Sequence, residues 1–216
     1  MTVVQPDHET LPSFYWLPKV HKTLYGSRFI AASSRCTTKK LSAILTACFR
    51  TVLTHYKQYW DGTQRRSGVN CFWVMENSME VLEKLKGLME CQRPDVLTLD
   101  FATLYTIPHD MLKNSIRTLV REAYKVRGAK YLVVHRFNKA SIPKAHWSKA
   151  PSSVITCMNV SKSKLIDWME YLIGNIYIKV GNKVHRQTIG IPMGTDCAPQ
   201  LADLFLFHYV NKGVDG

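Results

Sequence analysis

Ile176-Tyr177-Ile178-Lys179-Val180-Gly181-Asn182-Lys183-Val184-His185-Arg186-Gln187 is two alternating runs around a glycine–asparagine pair. Apolar and polar residues trade places with the period of a strand, and Gly-Asn between such runs signals a two-residue turn. A hairpin is therefore predicted, with antiparallel pairing. Just upstream, Leu165 to Gly174 has the spacing of a helix. Just downstream, Gly190-Ile191-Pro192-Met193-Gly194-Thr195-Asp196-Cys197-Ala198-Pro199-Gln200 crowds glycines and prolines into a short loop. The apolar stretch from Ala198 to Tyr209 then reads as a last helix. Glycine has no side chain to keep a ligand away from the backbone. The first N–H groups of a helix favour anionic partners.

Further out, the same periodicities continue. Phe14-Tyr15-Trp16-Leu17 and Arg28-Phe29-Ile30-Ala31 read as strands of a basic hairpin, with Lys19, Lys22 and Arg28 near its bend. Leu41, Ile44, Leu45, Cys48, Val52 and Tyr56 predict a helix to about Tyr59. A polar loop is expected over Asp61–Gly68. Asn77 is placed to cap a helix over Ser78–Met89, with Glu80 at capping-box spacing and Val81, Leu82, Leu85 and Leu88 as its buried stripe. Asp95–Asp100 is a short strand. Asp110–Arg127 is a helix with Leu112, Ile116, Leu119, Val120 and Ala123 on one face, stopped by Gly128. Tyr131–Val134 is a strand, and residues 138–153 read as a loop. Helices interleave with hairpins, which favours α+β over a doubly wound sheet.

The chain has 216 residues, 46% of them hydrophobic, enough for a core. No apolar run reaches the roughly 18 residues of a membrane span. The first ten residues lack the pattern of a signal peptide. The net charge is +13, and it is uneven. Residues 1–66 hold ten Lys/Arg against three acids, and residues 111–149 hold ten against one, Glu122. Two basic tracts point to a polyanion, with a generally basic solvated surface as the plain alternative. The six cysteines form no C-x-x-C pair, which argues against zinc and for reduced thiols in nucleus or cytoplasm.

Asp100 is the lone carboxylate at the end of an apolar strand. It is either a Mg²⁺ ligand or a cap for the turn that follows. Tyr105 either packs in the core or lies beneath a nucleotide sugar. The glycine loop lacks the Walker sequence, and no Gly-x-Ser-x-Gly elbow occurs, so neither ATPase nor serine-hydrolase chemistry is supported. The histidines show no ligand spacing and read as structural or solvated. Asp196 reads as a helix cap.

Three blocks resemble the reverse transcriptases of retroelements, nearest the Penelope-like group. Phe14–Lys22 with Arg28-Phe29-Ile30 resembles the fingers motifs. Leu99-Asp100-Phe101-Ala102-Thr103-Leu104-Tyr105-Thr106 resembles the first palm motif. Gln187–Pro199 resembles the next palm motif. The blocks stand in family order between about residues 14 and 209.

The resemblance implies a right-hand polymerase, with fingers over about 14–90 and palm over 91–209. The thumb is absent, and 210–216 is an atypical tail. It implies Asp100 and Phe101 as metal positions, with Asp100 catalytic and Mg²⁺ as the metal. Lys19 and Arg28 would contact the incoming triphosphate, and Tyr105 would sit under its sugar. Gln187 with Pro192, Met193 and Gly194 would hold the template–nucleotide pair, and Lys22 would meet the primer–template. The implied partners are an RNA or DNA primer–template and a deoxynucleotide, with no membrane.

Two departures stand out. The family usually has one more residue between Thr106 and Ile107. The family's paired aspartates are also missing, for no Asp-Asp occurs in these residues. Two Mg²⁺ ions carry four positive charges, and Asp100 offers one negative. The residues are therefore expected to be catalytically incomplete by themselves. A non-catalytic nucleic-acid-binding remnant, or a basic interaction domain, is the alternative.

Overall fold

Apolar side chains at helical spacing account for most of the architecture. The computed structural model describes residues 11–19, 26–32, 36–68, 72, 74–75, 77–89, 107–135, 143–191 and 194–214. In chain order these form β1 (Ser13–Lys19), β2 (Gly26–Ala32), α1 (Lys39–Ser67), α2 (Ser78–Met89), α3 (His109–Arg127) and β3 (Tyr131–His135). Then follow β4 (Ala145–Ser148), β5 (Cys157–Ser161), α4 (Lys162–Gly174), β6 (Tyr177–Val180), β7 (Lys183–Arg186) and α5 (Ala198–Val214). The chain is mixed α+β, as the interleaved pattern predicts.

The core lies among α1, α3, α4 and α5. Leu45, Phe49 and Val52 of α1 meet Leu112, Ile116 and Leu119 of α3, Leu165 and Met169 of α4, and Leu201 and Leu204 of α5 in one buried cluster. Three polar bonds join the layers, two of them buried. Tyr56 Oη donates to Leu119 O (2.8 Å), and Tyr124 Oη donates to Val160 O (2.9 Å). Thr51 Oγ1 donates to Ala145 O (3.1 Å), tying α1 to β4.

Two sheets accompany the helices, and the one containing β3, β4 and β5 packs on α1 and α4. One has the order β4-β3-β5, antiparallel throughout. The other has the order β2-β1-β6-β7. The predicted hairpin is present, with Val180 opposite Lys183 and Tyr177 opposite Arg186 across a turn at Gly181. The basic hairpin is present too, and a parallel bridge from Ser13 to Lys179 joins the two hairpins into one sheet.

Several expectations need correction. Residues 61–67 are not a loop but the last turns of α1. Thr63 and Ser67 hydroxyls donate back to the carbonyls of Tyr59 and Thr63, and Arg65 and Arg66 oppose the helix dipole at its C-terminus. The capping of α2 is as expected, with Asn77 Oδ1 accepting from the N–H groups of Met79 and Glu80. Its stripe is not, because Val81, Leu82 and Leu85 are exposed. Glu80 pairs with Lys57 of α1 at 3.0 Å. Within 138–153, expected as a loop, β4 pairs with β3. The last helix runs past Tyr209 to Val214, so most of the supposed tail is helical.

Candidate nucleic-acid interface

The glycine loop is held from the side by Ile107–His109, just past the Leu99–Thr106 block. Gly190 N–H donates to Ile107 O at 2.7 Å. Pro108 and Ile189 form an isolated antiparallel bridge. His109 Nε2 lies 3.1 Å from Gly190 O. Gly190 and Gly194 have φ of 87° and 88°, a left-handed backbone that residues with a Cβ rarely adopt. The loop thus needs glycine at both bends, and its first bend is fastened to Ile107–His109.

Gln187 braces the same loop. Its Nε2 donates to Ile189 O (2.8 Å) and Ile191 O (3.2 Å), while its own N–H donates to Ile176 O (2.9 Å). The amide nitrogen is therefore spent on shaping the loop. At the far end, Asp196 forms an ion pair with Lys39 at the start of α1. The carboxylate expected as a helix cap is thus given to a lysine on another helix. Cys197 N–H donates to Ser42 Oγ (3.2 Å), and burial pushes the Cys197 thiol up to about 11. That thiol is packing, not a nucleophile. Gln200 Oε1 is buried without a hydrogen-bond partner among the described residues.

Beside the clasp stands a group of cations. Arg186 Nε donates to Gly174 O at 2.9 Å, at the C-terminus of α4. Lys113 and Arg186 both approach Gly174 closely, and a Cβ there would meet Lys113 Nζ at 3.9 Å and Arg186 at 4.0 Å. His109 lies in their field. Its pKa is lowered, first by burial and then by the charges of Lys113 and Arg186, against the opposing pull of the Gly190 carbonyl and Asp110.

Of the expected site residues, Asp100, Phe101, Tyr105, Lys22, Pro192 and Met193 lie outside the described residues. Lys19 and Arg28 are in β1 and β2, where Lys19 is opposite Gly26 and Arg28 opposite Leu17. That register sets them two positions apart along the ladder. They share a four-stranded sheet with β7, which leads directly into Gln187. Gly194 is exposed at the bend of the loop.

No protein-family model and no curated protein matches the chain. Among the described residues, no group of three or more histidines, cysteines or acids is placed to hold a metal ion. No helix among them is long and apolar enough to cross a membrane.

Sequence reasoning missed His109, Lys113 and Arg186 as a group. A signal existed for one of them: Arg186 sits in a hairpin segment, 176–187, that carries cations and no acid. Nothing in the sequence links that hairpin to residues 109 and 113.

Proposed function

We propose that these residues form the fingers and part of the palm of a retroelement-type RNA-directed DNA polymerase, and that they grip a primer–template and nucleotide. The observation that carries this reading is the 2.7 Å bond from Gly190 to Ile107. It draws the glycine loop against the chain that follows Asp100–Thr106, the segment that resembles the first palm motif. A substrate-gripping loop beside a metal-binding carboxylate is the arrangement phosphoryl transfer requires, because positioning and charge neutralisation supply most of its catalysis. In this reading Lys19 and Arg28 take the triphosphate, Tyr105 underlies the sugar, and Gly194 with Pro192 and Met193 faces the template pair. Lys22 lies along the primer–template. Gln187 acts by bracing that loop.

Mg²⁺ does not fit these residues as a complete site. It is bound through one or two carboxylates with water and substrate phosphates. The reading offers Asp100, with Phe101 beside it, and no adjacent pair of aspartates occurs in the sequence. The cations around His109 are not ligands for it. No metal-assisted step is assigned to these residues, and the same shortage favours a non-catalytic nucleic-acid-binding role as the second reading.

The test is binding of the purified chain to a labelled RNA–DNA primer–template over a salt series. About six phosphate contacts give a log–log slope near −5. A slope near zero would remove both nucleic-acid readings and leave the basic interaction domain. Primer extension in Mg²⁺ is expected to be undetectable. Extension abolished by Asp100→Ala would show instead that the residues are a complete polymerase.

A further inference from the structure

The β6–β7 hairpin is exposed along almost its whole length. Residues opposite one another in an antiparallel ladder point to the same face. Tyr177 opposes Arg186 and Lys179 opposes Val184, so Tyr177, Lys179 and Arg186 share one face. Arg186 joins that face to the start of α3, where its charge and that of Lys113 act together on His109. Its Nε is fixed by Gly174 O, a bond that does not use its terminal amino groups.

An exposed aromatic ring set among cations is the composition of a surface for unpaired nucleic acid. The cations meet phosphates, and the ring stacks on a base whose faces are free. Same-face residues of a strand repeat at about 6.8 Å, which spreads these groups along a line rather than into a pocket. The line runs toward Gln187 and the glycine loop. Within 176–187 no acid offsets the charge, and the carboxylate acting on His109 is that of Asp110.

We infer that the face of the β6–β7 hairpin bearing Tyr177, Lys179 and Arg186, continued by Lys113, is a track for a single strand of nucleic acid entering the glycine loop. This rests on the nucleic-acid reading above and adds which surface meets the unpaired strand. Duplex is disfavoured here because Tyr177 has no base face to stack upon when bases are paired.

The experiment compares a fluorescently labelled oligothymidylate with a long blunt duplex of two strands by anisotropy, for the full chain and three variants. Tyr177→Ala is expected to weaken oligothymidylate binding about tenfold or more, the range of base–aromatic stacking, and to leave the duplex unchanged. Tyr177→Phe keeps the ring and should bind like the parent chain. Lys179→Gln should reduce the salt slope for the single strand by about 0.7, one phosphate contact. Thermal midpoints matching the parent chain show that each variant is folded. If the parent binds the oligothymidylate and Tyr177→Ala binds it equally well, the track is wrong and the general nucleic-acid reading survives. Equal loss on both ligands also rejects the track. If the parent binds neither ligand at any salt, the nucleic-acid reading falls and the track falls with it.

Discussion

His55 Nδ1 accepts a hydrogen bond from Arg127 Nε at 2.8 Å, so that nitrogen carries no proton in the folded chain. Burial, then the Arg127 charge, pulls its pKa down to about 4 from an ordinary 6.5. The unfolded chain therefore takes up a proton at a higher pH than the folded one does. The His55 contribution to stability is complete above pH 6.5 and is lost as the pH falls toward about 4. His109 is shifted in the same direction and adds to the trend. Urea midpoints across that window should fall for the parent chain and fall less for His55→Asn. An equally steep fall in the variant would place the effect elsewhere. The sequence named His55 only as structural or solvated. Its partner is separated from it by 72 residues, and no local pattern connects them.

At the scale of elements, α3 and α2 make opposite cases. Both have apolar residues at helical spacing. Leu112 of α3 is fully buried, whereas Leu82 of α2 is 44% exposed. Leu112→Ala should cost about 2–5 kcal/mol, the usual range for a truncated core leucine. Leu82→Ala should lie within about 0.5 kcal/mol of the parent. Urea denaturation of both variants checks this, and comparable losses would mean α2 is packed after all. The helix α3 was legible because its stripe, its proline entry and its glycine stop agree with each other. The last turns of α1 were not, because a polar helical turn has no stripe to read. The strands β4 and β5 were missed for a different reason. Ala145-His146-Trp147-Ser148 has little strand character of its own, and pairing with β3 decides its conformation. Trp147 anchors it, with its ring 4.9 Å from that of Tyr124 and edge-on.

Across the whole molecule, the charge and the packing divide the labour. The apolar cluster of α1, α3, α4 and α5 holds the chain together, while the cations lie on the hairpins and helix surfaces around it. The hairpin β6–β7 was readable from twelve consecutive residues. Its union with β1 through Ser13 and Lys179 was not, since a parallel bridge between distant segments leaves no periodic trace. The same holds for the candidate site. The glycine loop and the block around Asp100 were each visible as motifs, but only the folded chain shows Ile107 and Gly190 in contact.

That contact also bears on the order in which the molecule assembles. His109 and Gly190 are 81 residues apart, and closing so long a loop is entropically costly until the intervening helices have docked. The local β3–β4 pairing has no such requirement. Held by few bonds, the clasp is expected to open locally before the helical core does. Its Gly190 amide should exchange with solvent deuterium through a smaller opening than the amide of Ile116 in the α3 core. Equal protection of the two would mean that the clasp opens only with global unfolding. Under the nucleic-acid reading proposed above, an oligonucleotide seated in the glycine loop would hold shut a contact that otherwise opens by itself. Added oligonucleotide should then slow exchange at Gly190 far more than at Ile116.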